Sequence, residues 1–285
     1  MPARLMLASL SDPPETARLE HCDSAIERRA IATLRARYER KRAMLESRAG
    51  GGLALERVRS GLRRLGSSEL RAFRDGSAVI LSEPFAAVPR SGRAADPSVT
   101  RDLVAKLVGG CPPAALCVAL APFGERALSL AVRGRVRIAI VPKNRPFARC
   151  SPAVAALVPD IDRWHAPPAG LFVLEERLVL LRPGALRMAA AHEFAHALDA
   201  LLAARPRSYF SFEDEGIRGA YAAASGFVNE YAASGLDEYF AESLRAYVEV
   251  NDDRSCWLPL TRQALQTRDS RMFSILEALF REARL

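Results

Sequence analysis

The chain lacks the cysteine patterns of a disulfide-stabilised protein or of a cysteine-ligated zinc domain. Its 285 residues include five cysteines, and no two of them form a C-x-x-C pair. An odd number of scattered cysteines is typical of reduced thiols, so we expect a reducing compartment. The chain also lacks an uncharged apolar run of 18 residues, which excludes a membrane-spanning helix of the usual kind.

The start of the chain offers little that resembles a targeting segment. Residues 5–10 form the only apolar run before Asp12, Pro13 and Pro14. That run is too short for the core of a secretory signal peptide. We therefore predict a cytoplasmic protein by default, although export by a specialised secretion route would leave no mark of this kind.

Lysine is scarce, and the positive charge is carried by 38 arginines and 3 lysines. Residues 1–95 contain 18 Lys and Arg against 11 Asp and Glu, whereas residues 96–285 contain 23 against 22. The densest part, residues 28–74, has 14 basic and 4 acidic side chains. Such a stretch is either a solvated helix face or an arm that docks on nucleic acid, an anionic membrane surface or an acidic partner. Only Tyr38 and Phe73 are aromatic there, which weakens a single-stranded nucleic-acid interpretation.

The pattern of apolar and turn residues divides the chain in two. Residues 1–95 predict a basic, all-helical N-terminal region, and prolines between residues 82 and 97 indicate a linker. Residues 96–285 predict an α+β domain, mainly helical with a small sheet. Its strand signals are the alternation at 135–141 and a hairpin formed by 170–174 and 177–181. Its predicted helices cover residues 98–108, 184–204, 217–225, 236–250, 261–267 and 270–284.

The most informative segment contains the pattern H-E-x-x-H, with His192, Glu193 and His196. Residues four apart on a helix lie one turn apart on one face, so both imidazoles can reach a single metal ion. Glu193 is rotated by about 100° from His192, so it can contact a metal-activated water without binding the metal. The surrounding helix is apolar nearly all round, and buried imidazoles are costly unless something pairs them. We therefore predict one Zn²⁺ ion at this segment.

A catalytic zinc needs a third protein ligand. The metzincin pattern is excluded, because its third histidine and its glycine would fall on Leu202 and Asp199. His21 and His165 have no supporting motif, so we expect a carboxylate from a later helix. Glu238 and Glu242 share a helix face, and one can bind the metal while the other holds an imidazole. Asp199 lies on the histidine face of its own helix and is a second candidate for holding an imidazole.

These residues carry a family resemblance. The H-E-x-x-H-x-x-D helix followed by E-Y-F-A-E-S-x-R resembles the glutamate-zincin metalloproteases of the anthrax lethal factor type, which include the Pro-Pro endopeptidases. The resemblance implies that Glu238 is the third zinc ligand and that Tyr231 stabilises the oxyanion. The second glutamate of the family's motif falls on Glu242. It also implies that the strand at 177–181 is an edge strand that pairs with an extended peptide. The likeness is specific over residues 189–199 and 229–246.

The resulting hypothesis is a zinc endopeptidase in which His192, His196 and Glu238 hold the metal. Glu193 is the general base and then the acid, and Glu242 and Asp199 orient the imidazoles. Residues 191–253 contain 12 acidic and 4 basic side chains, so we expect basic peptides as substrates. The resemblance to the Pro-Pro endopeptidases implies proline-containing peptides as well. The alternative is a regulatory or nucleic-acid-associated binding protein whose metalloprotease-like domain is non-catalytic. A third interpretation makes the N-terminal region a shield or docking arm.

Overall fold

The computed structural model describes residues 96–163, 168–224, 226–229, 231–251, 260–282 and 284–285. The predicted basic N-terminal region 1–95, with the stretch 28–74 that motivates the nucleic-acid alternative, lies outside these residues. His21 and His165 also lie outside them. The described part is mainly helical with one small sheet, as predicted for an α+β domain.

The first described element is helix α1, Pro97–Val108. The Asp96 side chain accepts a hydrogen bond from Ser98 N at 2.8 Å, and Pro97 occupies the first helical position. Gly109 ends the helix at φ +72°, a left-handed conformation that glycine adopts without a Cβ clash. The predicted helix 98–108 is thus confirmed.

A helical stretch that follows, Ala114–Arg133, is long and apolar enough to cross a membrane by length and composition. It consists of helix α2 (Ala114–Leu120), a 3-10 turn (Ala121–Phe123) and helix α3 (Gly124–Arg133). Core helices meet the same criterion, and Leu116, Leu120 and Leu128 of this stretch are buried in the core. The stretch contains no uncharged run of 18 residues, because Glu125 and Arg126 lie within it.

The sheet has three strands, β1 (Arg137–Ile140), β2 (Gly170–Val173) and β3 (Leu178–Leu181), in the order β1-β3-β2. β1 is parallel to β3, with Arg137 opposite Leu178, and β2 is antiparallel to β3, with Gly170 opposite Leu181. The strand predicted at 135–141 and the hairpin are confirmed. The expectation that 177–181 is an edge strand is wrong: β3 is central because β1 pairs with its second side. The edge strand of the hairpin is β2.

The remaining helices carry the rest of the core. They are α4 (Pro152–Leu157), α5 (Met188–Leu202), α6 (Phe210–Glu213), α7 (Glu215–Ala223), α8 (Leu236–Val248), α9 (Arg262–Arg268) and α10 (Ser270–Arg281). The predicted helices at 217–225, 236–250, 261–267 and 270–284 are each present, with ends that differ by a few residues. The helix predicted from residue 184 begins instead at Met188, because residues 182–187 form turns.

Helices α5 and α8 pack against each other in the centre of the domain. Helix α5 is rich in small residues, and Ala191, Ala195 and Ala197 have no exposed surface. Small side chains let two helix backbones approach closely, so polar groups on facing sides come within bonding distance. Sheet strands β2 and β3 also contact α5. The site residues therefore stand on elements fixed by packing on several sides.

Candidate metal centre

Helix α5 presents His192 and His196 on one face. Their Nε2 atoms are 3.1 Å apart, and their rings lie nearly perpendicular with centroids 4.7 Å apart. This arrangement follows from their spacing of four residues, since positions i and i+4 lie one above the other on a helix. Both rings therefore direct one nitrogen to the same point.

Helix α8 supplies a carboxylate to that point. Oε2 of Glu238 lies 3.2 Å from Nε2 of His192 and 3.4 Å from Nε2 of His196. His196 is 7% exposed and Glu238 is 8% exposed, so water solvates neither group freely. His192, His196 and Glu238 form a group whose ligand atoms could hold a metal ion.

The dimensions of this triangle fit a zinc ion. Zinc bonds to nitrogen and carboxylate oxygen are about 2.0–2.1 Å long, so two ligand atoms of a tetrahedral site lie about 3.3–3.4 Å apart. The three separations of 3.1, 3.2 and 3.4 Å are close to that value. A shared proton joins only two of the three atoms, whereas one cation satisfies all three. The donor set and its spacing therefore fit a divalent cation with a further position open.

A second carboxylate on α8, Glu242, fixes the other nitrogen of His192. Its Oε1 atom lies 2.6 Å from Nδ1 of His192. Its Oε2 atom accepts hydrogen bonds from Nδ2 of Asn229 at 2.5 Å and from the Arg245 guanidinium at 2.8 Å. A carboxylate on the far nitrogen of a metal-binding imidazole sets the tautomer that leaves Nε2 free to bind. Glu242 was predicted for this role. Sequence reasoning gave no role to Asn229, and none to Arg245 although it ends the E-Y-F-A-E-S-x-R motif.

Tyr231 stands at the edge of the same cluster. Its hydroxyl donates a hydrogen bond of 2.8 Å to Oε1 of Glu238, and its ring centroid is 5.9 Å from that of His192. The residue begins a 3-10 turn, Ala232–Ser234, that leads into α8. The hydroxyl is therefore within reach of a group bound beside the imidazoles.

The side chain of Glu193 extends from α5 toward the edge strand β2. The main-chain N–H of Phe172 donates a hydrogen bond to its carboxylate. Gly170 permits this close approach, because a Cβ atom there would lie 2.8 Å from Cγ of Glu193 and 2.9 Å from Cδ2 of Leu181. The hydrogen bond from Phe172 and the close approach to Gly170 together hold the Glu193 carboxylate near the imidazoles.

Asp199 has partners other than a histidine. Its Oδ1 accepts from the main-chain N–H of Ser211, and its Oδ2 accepts from the Ser211 hydroxyl, both at 2.7 Å. The carboxylate is fully buried, and it ties α5 to the start of α6. Within the described residues, Nδ1 of His196 has no hydrogen-bond partner. The structure thus brings Glu242, but not Asp199, into contact with an imidazole nitrogen.

Tyr209, which precedes α6, is a second tyrosine near the cluster. Its ring centroid is 6.1 Å from that of His196. Burial raises the pKa of its hydroxyl, and the charges of Asp237, Asp199 and other nearby carboxylates raise it further. Tyr209 therefore remains a neutral hydroxyl at ordinary pH. No motif marks it in the sequence, because its proximity depends on how the chain returns after α5.

The carboxylates around the two imidazoles raise the pKa of both rings. Burial disfavours the charged form of His192, but Glu238 and Glu242 outweigh it and raise its pKa to about 10. For His196, burial acts in the same direction and Glu238 again prevails, so its pKa is also raised. The carboxylates of the cluster therefore stabilise the protonated form of the two imidazoles.

The carboxylates separate into two classes. Burial raises the pKa of Glu193, and the charges of His192 and His196 offset this only in part. Burial also acts on Glu242, but the charges of Arg245 and His192 hold its pKa well below the usual range. The surroundings therefore shift the pKa values of these two carboxylates in opposite directions, that of Glu242 downward and that of Glu193 upward.

Comparison with known proteins assigns no family to the chain. No family model matches the chain, and no curated protein matches it.

Proposed function

We propose that the protein is a zinc-dependent endopeptidase of the glutamate-zincin type, similar to the lethal factor group of metalloproteases. The observation that carries this proposal is the convergence of Nε2 of His192, Nε2 of His196 and Oε2 of Glu238 within 3.1–3.4 Å of one another. Glu193 follows His192 on the same helix and supplies the proton-transferring group that hydrolysis needs.

His192, His196 and Glu238 would hold the ion. Zinc bound at such a site lowers the pKa of a water molecule and polarises a carbonyl group. The carboxylate of Glu242 keeps His192 in the tautomer with a free Nε2, and the low pKa of Glu242 keeps that carboxylate charged.

Glu193 acts as general base and then as general acid. Its carboxylate takes a proton from the attacking water and later passes it to the leaving amine. A base works best when its pKa lies near the working pH, and burial moves the pKa of Glu193 upward in that direction. The hydrogen bond from Phe172 limits where the carboxylate can point.

Tyr231 stabilises the negative charge that develops on the carbonyl oxygen. A fixed hydroxyl donor acts strongly in a partly buried site, because little water competes for the same oxygen. In the substrate-free state the hydroxyl donates to Oε1 of Glu238.

The edge strand β2 supports binding of an extended peptide. β3 pairs with one side of β2, and no strand among the described residues pairs with its other side. A peptide that adds to this edge would run past Glu193, which contacts Gly170 and Phe172. The acidic balance of residues 191–253 motivates a preference for basic peptides, and the family resemblance motivates proline-containing ones.

Cleavage of a degenerate peptide library by the zinc-loaded full chain tests the proposal. We expect hydrolysis that stops when a chelator removes the metal and resumes when zinc is restored. Glu193→Ala should keep the metal and lose turnover, whereas His196→Ala should lose both. If Glu193→Ala cleaves as well as the wild type, the mechanism is wrong; selection for acidic peptides would contradict the expected specificity.

A further inference from the structure

The buried amide of Asn229 is bonded to two parts of the site, helix α8 and the turn that follows Tyr231. Asn229 is 4% exposed. Its Nδ2 donates to Oε2 of Glu242 at 2.5 Å, and its Oδ1 accepts from the main-chain N–H of Ala232 at 2.9 Å. One side of the amide therefore contacts the helix that bears Glu238 and Glu242, and the other side contacts the turn that begins at Tyr231.

The donor side of the amide determines how Glu242 is oriented. Nδ2 of Asn229 and the guanidinium of Arg245 both bond to Oε2 of Glu242, which leaves Oε1 facing Nδ1 of His192 at 2.6 Å. Arg245 supplies the positive charge that keeps the carboxylate ionised. Asn229 supplies direction without a second charge, so the attraction between Glu242 and His192 is not weakened by another cation.

The acceptor side of the amide determines where Tyr231 stands. Ala232 follows Tyr231 directly, and its N–H is one of the groups that the 3-10 turn Ala232–Ser234 leaves without an internal partner. Oδ1 of Asn229 accepts from that N–H and fixes the start of the turn. The Tyr231 hydroxyl then reaches Oε1 of Glu238 at 2.8 Å.

A residue that merely capped the turn would need only its oxygen. An aspartate or a serine meets that requirement equally well. The amide nitrogen adds a bond to the carboxylate that holds His192. Neither aspartate nor serine matches an amide, which offers an uncharged donor and an acceptor on two different atoms of one short planar group. The choice of asparagine is thus explained by the site and not by the turn alone.

We propose that Asn229 is a positioning residue that couples the orientation of His192, through Glu242, to the placement of the Tyr231 hydroxyl. The proposal rests on the proposed function for the role of Tyr231, but its first consequence concerns metal affinity alone. Loss of a group that orients a metal-binding histidine typically weakens metal binding or activity by about 10- to 100-fold.

Two substitutions separate the two sides of the amide. Asn229→Asp keeps the oxygen that accepts from Ala232 and loses the donor to Glu242. We expect its Kd for zinc, measured at pH 8 by competition with a chromogenic chelator, to rise by about 10- to 100-fold, with a smaller loss of kcat at saturating zinc than Asn229→Ala shows. Asn229→Ala loses both bonds, so its kcat should also fall toward that of Tyr231→Phe. Asn144→Asp adds the same charge at an exposed site and is the matched control.

A double-substitution cycle keeps the proposal falsifiable if Asn229→Asp simply loosens the fold. In the Glu242→Gln background the donor has lost its charged acceptor, so adding Asn229→Asp should change the zinc Kd by less than about threefold. Additive losses in the cycle would mean a general structural effect and would overturn the proposal. An unchanged zinc Kd in Asn229→Asp would overturn it as well, even if the wild type cleaves peptides. If zinc affinity falls as expected but no peptide is cleaved, the coupling stands and the proposed function fails.

Discussion

Oε2 of Glu238 on α8 lies 3.2 Å from Nε2 of His192 on α5. The two residues are 46 positions apart in the chain, and no local pattern fixes their distance. The contact exists because α5 and α8 pack against each other. Packing between two helices thus brings a carboxylate to the imidazoles, and the charge balance of the cluster follows from it.

Removal of the Tyr231 hydroxyl should lower turnover without affecting metal binding. We expect Tyr231→Phe to reduce kcat by about 100-fold, the usual effect of deleting one oxyanion donor, and to leave KM and zinc content nearly unchanged. Steady-state kinetics on a cleaved peptide measure the change. Tyr247→Phe, which alters a buried tyrosine at the C-terminal end of α8, is the control. Equal kcat values for Tyr231→Phe and the wild type would remove Tyr231 from the mechanism.

Metal affinity should rise with pH. In the metal-free site the His192 pKa is raised to about 10, so below that value zinc must displace a proton. In the metal-free protein the charged imidazole stabilises the fold fully below its unfolded pKa of about 6.5, and this contribution is lost as pH rises through about 10. Zinc affinity should therefore fall by at least about tenfold per unit as pH is lowered from 9 to 7.

Calorimetric titration with zinc in buffers of different ionisation enthalpy counts the protons that are released. We expect about one or more per zinc at pH 8. In Glu242→Gln the imidazole loses a charged partner, so fewer protons should be released. Zinc binding that releases no proton at this pH would contradict the described electrostatics of His192.

Gly170 should tolerate no side chain. A methyl group there meets Cγ of Glu193 and Cδ2 of Leu181 at less than 3 Å, so Gly170→Ala must displace Glu193 or the edge strand. We expect kcat to fall by at least about tenfold with zinc affinity retained, because a base misplaced by about 1 Å loses up to about 100-fold in rate. Gly219→Ala is the control, since a Cβ at Gly219 has nothing within 4 Å. If both variants behave alike, the contact between Gly170 and Glu193 has no role.

The core that holds α5 in place can be tested separately from the chemistry. Phe123 is 1% exposed, and its ring packs edge-on against Phe194 of α5 with centroids 5.0 Å apart. Phe123→Ala should lower the free energy of unfolding by about 3–5 kcal/mol, as measured by chemical denaturation. Leu157→Ala at an exposed position should change it by no more than about 0.5 kcal/mol. A small effect for Phe123→Ala would mean that this packing is wrong.

The sequence predicted those features that depend on local periodicity. Helix spacing alone placed His192 and His196 on one face of α5, and Glu238 and Glu242 on one face of α8. Alternation of apolar residues predicted β1, and two short apolar runs predicted the hairpin. These patterns repeat every two or four residues, so they can be read without knowledge of the fold.

Features that arise where separate elements meet were not predictable in this way. Strand order depends on which side of β3 receives β1, so the edge position of β2 was missed. Asn229 and Gly170 act through contacts with residues 13 and 23 positions away. Gly170 belongs to no recognisable motif, and the motif that includes residues 229–246 assigned no contact to Asn229. Asp199 was expected at an imidazole because it shares a face with His192, but the loop before α6 brings Ser211 to it instead.

The zinc content of the wild type and two variants tests the central claim most directly. Native mass spectrometry of the wild type, Glu238→Gln and Glu193→Gln after exposure to zinc and removal of the excess counts bound ions per chain. The wild type and Glu193→Gln should each retain one zinc ion, and Glu238→Gln should retain none. Retention of one zinc ion by Glu238→Gln, with unchanged affinity, would show that α8 does not supply the third ligand and would contradict the account.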